Sequence, residues 1–157
     1  MKRFITVLLL SIVALFFLSS CGDNKKTVME DVILSALKAP KTYDMVAFQK
    51  TATITLGDEI QDRVDHYTYR KSIGLSADDM LTFLESVSVE NDLTAVTFTE
   101  YTLTYDAENS FGVPVRDKCV GRFDNDGNLV AIKVTEDSKW DLIGNFFSIP
   151  GYYDRIK

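Results

Sequence analysis

Residues 106–119 read DAENSFGVPVRDKC, and the way this stretch folds decides the architecture around it. An acid, an amide, a hydroxyl, Phe111 and Gly112 fall within seven positions, with Arg116 close behind. Strand-like segments flank it, VTFTEYTLTYD before and VPVRDKCVGRF after. The whole therefore reads as a hairpin, with register as the question, because a one-residue slip turns every side chain to the other face. A loop at 107–111 sets Tyr105 against Val113, Leu103 against Val115 and Glu100 against Lys118. Apolar then meets apolar, and opposite charges pair on the other face. A slip of one would put Leu103 against Arg116 and Tyr101 against Lys118. In the favoured register Asp106 and Asn109 bond nearby backbone amides. Gly112 takes a conformation closed to other residues, Phe111 tucks under the loop, and Arg116 reaches diagonally to Glu100.

The next turn extends the sheet. FDNDGNL, 123–129, carries Asp126-Gly127, which signals a type I′ hairpin. It pairs Phe123 with Val130, Gly121 with Ile132 and Cys119 with Val134. One apolar face results: Leu103, Tyr105, Val113, Val115, Cys119, Phe123, Val130, Ile132 and Val134. Asp124, Asp126 and Asn128 lack the sixth-position Gly and distal Glu of a calcium loop.

Upstream, Thr27 and Glu30 are spaced as a capping box. Val28 or Met29, Val32, Ile33, Ala36 and Leu37 then recur at helical spacing. Pro40 ends this helix by forcing Ala39 out of the helical region. From Tyr43 to Leu56 the period changes to two. Val46, Phe48, Ala52, Ile54 and Leu56 share one parity, in a strand bent where Lys50 interrupts it. Residues 58–73 suit a helix, with Ile60, Val64 and Tyr67 at i, i+4 and i+7; a strand remains the alternative. Ser76 is positioned as N-cap of a further helix carrying Met80, Leu81, Phe83, Leu84 and Val87. The expected fold is α+β: an N-terminal helix packed on a curved antiparallel sheet of about four strands, with a helical insertion over 58–90.

LKAP-x-T at 37–42 and D-x-x-N-x-F-G-x-x-x-R at 106–116 resemble a small domain of uncharacterised bacterial envelope lipoproteins. Asp106, Asn109, Phe111, Gly112 and Arg116 match that pattern. The resemblance implies a helix on a curved antiparallel sheet, with 58–90 as an insertion; it brings no activity with it. These five residues are thus a candidate loop, binding or structural.

The first residues fix the expected compartment. MKRFITVLLLSIVALFFLSS, 1–20, has two cations and then an apolar run from Val7 to Leu18 broken only by Ser11, the pattern of a secretory signal peptide. The run falls short of the ~20 residues of a comfortable membrane span. LSSC at 18–21 resembles a lipobox, which implies cleavage before Cys21 and acylation of that residue. Two or three acyl chains hold a protein stably on a membrane. GDNKK at 22–26 is then a tether, and residues 27–157 form a single domain. In lipoprotein sorting an Asp directly after the lipidated Cys favours inner-membrane retention. Gly22 occupies that position here, so the outer membrane is favoured.

Losing the leader removes Lys2 and Arg3 but no acid and moves the formal net charge from −6 to −8. That balance argues against nucleic acid, which calls for a basic footprint. With Cys21 lipidated, Cys119 has no disulfide partner in the chain, so the core must hold the fold.

Nucleophilic catalysis needs a nucleophile and an orienting base. The sole histidine, His66, sits in a charged segment, and Cys119 is expected to face the core. Zinc-ligand spacing and glycine-rich phosphate loops are absent. Glu85, Glu90 and Asp92 suit a solvated helix end and turn. No catalytic residue, metal or cofactor is assigned. The C-terminal WDLIGNFFSIPGYY, 140–153, is rich in aromatics. Trp140 and Ile143 are expected in the core, while Phe146, Phe147, Tyr152 and Tyr153 are a candidate interface, since aromatic anchors dominate interface energetics. The leading expectation is a lipid-anchored binding module for an envelope protein or small ligand. The alternatives are a hydrolase of cell-surface glycan or peptide, and a structural accessory subunit.

Overall fold

The computed structural model describes residues 24–135 and 138–156. The expected leader, Cys21 and the start of the expected tether lie outside the described residues. Helix α1 covers 24–36, followed by a 3₁₀ turn Pro40–Thr42, β1 Asp44–Thr55, α2 Leu56–Ser72, α3 Asp78–Glu90 and β2 Val96–Glu108. Then come β3 Pro114–Phe123, β4 Leu129–Lys133, β5 Asp141–Leu142 and the short α4 Tyr152–Arg155. The strands form one antiparallel sheet in the order β1-β2-β3-β4-β5. The α+β class is as the sequence implied, and two helices, α2 and α3, lie between the first strand and the rest. The sheet has five strands rather than about four, and 58–72 is helical.

Helix α1 lies on one face. Met29 and Ile33 are fully buried against Leu103, Tyr105, Cys119, Phe123 and Ile132, each such burial contributing roughly 1.5–3 kcal/mol. The close approach needs Gly121, where a Cβ would stand 2.8 Å from Met29 Sδ. Thr27 lies inside this helix, which already includes residue 24, so it is not the N-cap. Ser76 is not a cap either: Ala77 holds that position in α3, without a side-chain bond.

Strand β1 is bulged between Met45 and Ala47 and between Lys50 and Ala52. The first bulge leaves Val46 exposed. The second adds a residue and exchanges the faces. Phe48 pairs with Leu103 on the α1 side, whereas Ile54 pairs with Phe98 on the other. The expected parity is present, but its residues serve both faces. On that second side, α2, α3 and the C-terminal segment build another cluster around Leu56, Ile60, Tyr67, Leu84, Ile149 and Tyr152.

The β2–β3 register differs from expectation by four residues. Leu103 faces Cys119, Glu100 faces Arg122 and Asp106 faces Arg116. An even offset keeps every side chain on its face, so face pattern cannot detect it. Turn geometry decides instead: the Asn109 amide donates to the Val113 carbonyl (3.0 Å) and the Gly112 amide to the Asn109 carbonyl (3.1 Å). Gly112 sits at φ 72°. Val113 and Val115 consequently lie exposed near the tip. The β3–β4 turn repeats the device at Asp124–Asn128 with Gly127 at φ 85°. Asp126 does not have positive φ, so this is a three-residue turn with a left-handed glycine rather than type I′. The accompanying shift pairs Phe123 with Leu129 instead of Val130, while Gly121 faces Ile132 as expected.

Candidate functional site

The motif loop is satisfied within itself. Asn109 Oδ1 accepts from the amides of Phe111 (2.9 Å) and Val113 (3.1 Å). Arg116 grips Asp106 with two bonds of 2.8 Å, directly across the ladder rather than diagonally to Glu100, and holds that carboxyl below its ordinary range. The two halves of the motif meet: Lys38 donates to Ser110 (3.1 Å), and the Glu108 amide donates to the Thr42 hydroxyl (2.9 Å). Phe111 does not tuck under the loop; it is 88% exposed at the tip.

A different place leaves bonding capacity open. The start of α2 is fixed by a capping box: Thr55 Oγ1 accepts from the Asp58 amide (3.2 Å), and Asp58 Oδ2 accepts from the Thr55 amide (2.8 Å). These bonds lower the Asp58 pKa and aim the next residue inward. Glu59 is only 3% exposed. Its Oε2 accepts from the Ser148 amide at 2.7 Å, while its Oε1 has no partner among the described residues. The Thr97 hydroxyl beside it donates instead to the Ile54 carbonyl at 3.1 Å. Burial pushes the Glu59 pKa up, against the opposing influence of Thr97, the Ser148 amide and the Arg122 charge.

Glu59 lines a cleft of about 350 Å³ between α2, the sheet and the C-terminal segment. One wall is Arg122, bonded to Glu100 at 2.7 and 3.0 Å. Its guanidinium lies 4.3 Å from the ring centre of Phe146 and 5.1 Å from that of Trp140. Opposite, Arg63 is paired with Asp62 and sits 4.4 Å from the Phe147 ring centre.

The predicted aromatics therefore divide. Phe146 and Phe147 are half-buried and line the cleft. Tyr153 is half-buried, its hydroxyl accepting from the Phe147 amide (3.0 Å). Tyr152 is 4% exposed and belongs to the α2–α3 core, which removes it from any interface. Trp140 is half-buried as a cleft wall, and Ile143 is exposed rather than in the core. Glu59, Arg63 and Arg122 were not singled out from the sequence. The usable signal was Thr55-x-x-Asp58, a cap whose next residue falls in the first helical turn.

Other chemistry is poorly placed. The Cys119 thiol is pushed up to about 12 by burial, and His66 is exposed. Among the described residues no group of three or more His, Cys, Asp or Glu side chains could hold a metal, and no helix is long and apolar enough to cross a membrane. No family model, curated protein or solved structure matches this chain.

Proposed function

We propose that this protein is a cell-envelope lipoprotein, held by lipid on Cys21 with the outer membrane favoured, that binds a small ligand in the Glu59 cleft. The observation that carries the reading is the free Glu59 Oε1. An unmet buried carboxyl oxygen is costly to a fold, and a concave site that joins aromatic walls to convergent polar side chains is a place where ligands bind. The anchor rests on the signal segment and on LSSC at 18–21. Labelled palmitate is expected to enter the full chain and to be lost with Cys21→Ser.

The hydrolase reading ranks second and is favoured by the same carboxyl, since burial raises the pKa of Glu59 toward that of a general acid. A glycosidase needs a second carboxylate in play. Here Asp58 is engaged by Thr55 and Asp62 by Arg63, which supports binding over turnover. Incubating the full chain with small molecules extracted from envelopes and analysing both fractions by mass spectrometry separates the two. Stoichiometric recovery of an unchanged ligand, lost in Glu59→Leu, supports binding; a consumed ligand supports hydrolysis; no ligand in either fraction overturns both.

A further inference from the structure

We infer that the Glu59 cleft takes a neutral, polyhydroxylated ring, a saccharide unit, with one hydroxyl on Glu59 Oε1 and a carbon face against Trp140 and Phe147. This deepens the binding reading above and rests on it. Glu59 comes first. Its Oε2 is occupied by the Ser148 amide, so Oε1 alone is available. An ionised carboxylate only accepts, whereas a protonated one also donates. A hydroxyl does both and therefore pairs with Oε1 in either state; an ammonium group pairs only with the ionised one.

Charge comes second. Arg122 is paired with Glu100 and Arg63 with Asp62, while Asp58 is tied into the helix cap. An anionic ligand would meet three carboxylates, and a cation would meet two guanidinium groups at the same walls. Both guanidinium groups are thus engaged by carboxylates and Asp58 by the helix cap, so apart from Glu59 these walls offer an ionic ligand only charges that already have partners, and a neutral ligand displaces none of them. Arg122 bonds Glu100 through Nε and Nη2, which, among the described residues, leaves Nη1 as donor for a second hydroxyl.

The walls come third. Trp140, Phe146 and Phe147 are half-buried, with Trp140 and Phe146 5.7 Å apart at their ring centres and Phe146 and Phe147 4.8 Å apart. Polarised C–H groups on the face of a pyranose pack against such rings, while its hydroxyls remain at the edge. The volume lies near the lower end of the ~300–1,000 Å³ range for ligand sites, which suits a compact ring better than a long chain.

Trp140 is the sole tryptophan of the chain, so its fluorescence reports the cleft directly. The full chain is titrated in a detergent without a sugar headgroup, using glucose, N-acetylglucosamine and N,N′-diacetylchitobiose, with butylamine and inorganic phosphate as charged controls. A saturable change with a neutral sugar is expected. Stronger binding of the disaccharide would mark a unit of a glycan, and stronger binding of a monosaccharide would mark a free sugar. Glu59→Leu should weaken binding at least about tenfold, equivalent to about 1.4 kcal/mol, with a smaller loss for Glu59→Gln, which keeps one polar atom for the ligand. If the leucine variant fails to fold, the glutamine variant decides, and unchanged sugar affinity there overturns the inference. A response to butylamine or phosphate alone also overturns it while leaving the binding reading intact. Silence toward every sugar up to its solubility overturns it too; the extract experiment above tests the binding reading separately.

Discussion

Two arginine–carboxylate pairs stand directly opposite each other on the same two strands, Arg122 with Glu100 and Arg116 with Asp106. Their chemistry is the same and their surroundings are not. The first has side chains 12% and 16% exposed under the C-terminal aromatics; the second is 62% and 35% exposed at the open end of the ladder. An exposed pair contributes little, because water screens it. A covered pair cannot lose one member without leaving a buried charge. The difference teaches that the cleft is made by its cover. Where Trp140 and Phe146 lie against Arg122, an ordinary cross-strand pair becomes one wall of a site.

The contrast can be broken first at Arg122. Replacing it with alanine leaves Glu100 unpaired, and urea unfolding should show a loss of about 3–5 kcal/mol, the range for opening a buried pair. A small loss would mean that the aromatic cover does not exclude water. Next in size is Asn109→Ala, which removes the acceptor of two solvent-exposed turn amides; a loss of about 0.5–1.5 kcal/mol is expected in the same assay.

A third measurement uses pH. Burial raises the folded pKa of Glu59 above its ordinary 4.5. The folded state therefore binds more protons than the unfolded one across that window, and stability from this group falls as pH rises from about the unfolded value through the folded one. Melting midpoints of wild type and Glu59→Gln, compared over that range, should diverge in favour of the glutamine variant toward higher pH. Parallel curves would mean that the carboxyl is better solvated than its position implies. The smallest effects belong to the open end. Arg116→Ala should shift the melt less than Asn109→Ala, and Phe111→Ser should not lower it, since that ring is 88% exposed. A clear loss from Phe111→Ser would show that the ring packs against something the fold alone does not provide.

Much of the fold was legible where the pattern is local. The helical stripe with Met29 and Ile33, the bend in β1 near Lys50, the two glycine turns and the helical insertion all follow from periodicity and turn chemistry. The β2–β3 register was not, because an offset of four preserves every face and only the bonds of Asn109 and Gly112 distinguish it. The segment most conspicuous in the sequence, 106–116, proved to be largely turn and ladder chemistry. Its polar groups meet one another, Lys38 and Thr42, and the Phe111 ring stands exposed at the tip. Glu59 passed unnoticed because one acid among 23 carries no signal of its own.

By itself the sequence determined which segments could be helices, strands and turns, and which residues would be apolar on each. These depend on neighbours along the chain. Only the tertiary structure decided that a bulge at Lys50–Ala52 would turn Ile54 to the opposite face, that Ser148 would take one oxygen of Glu59 across 89 positions, and that Trp140 and Phe146 would close over Arg122. Burial, hydrogen-bond satisfaction and pKa are set by what arrives from distant parts of the chain, and the site exists only once those parts have met.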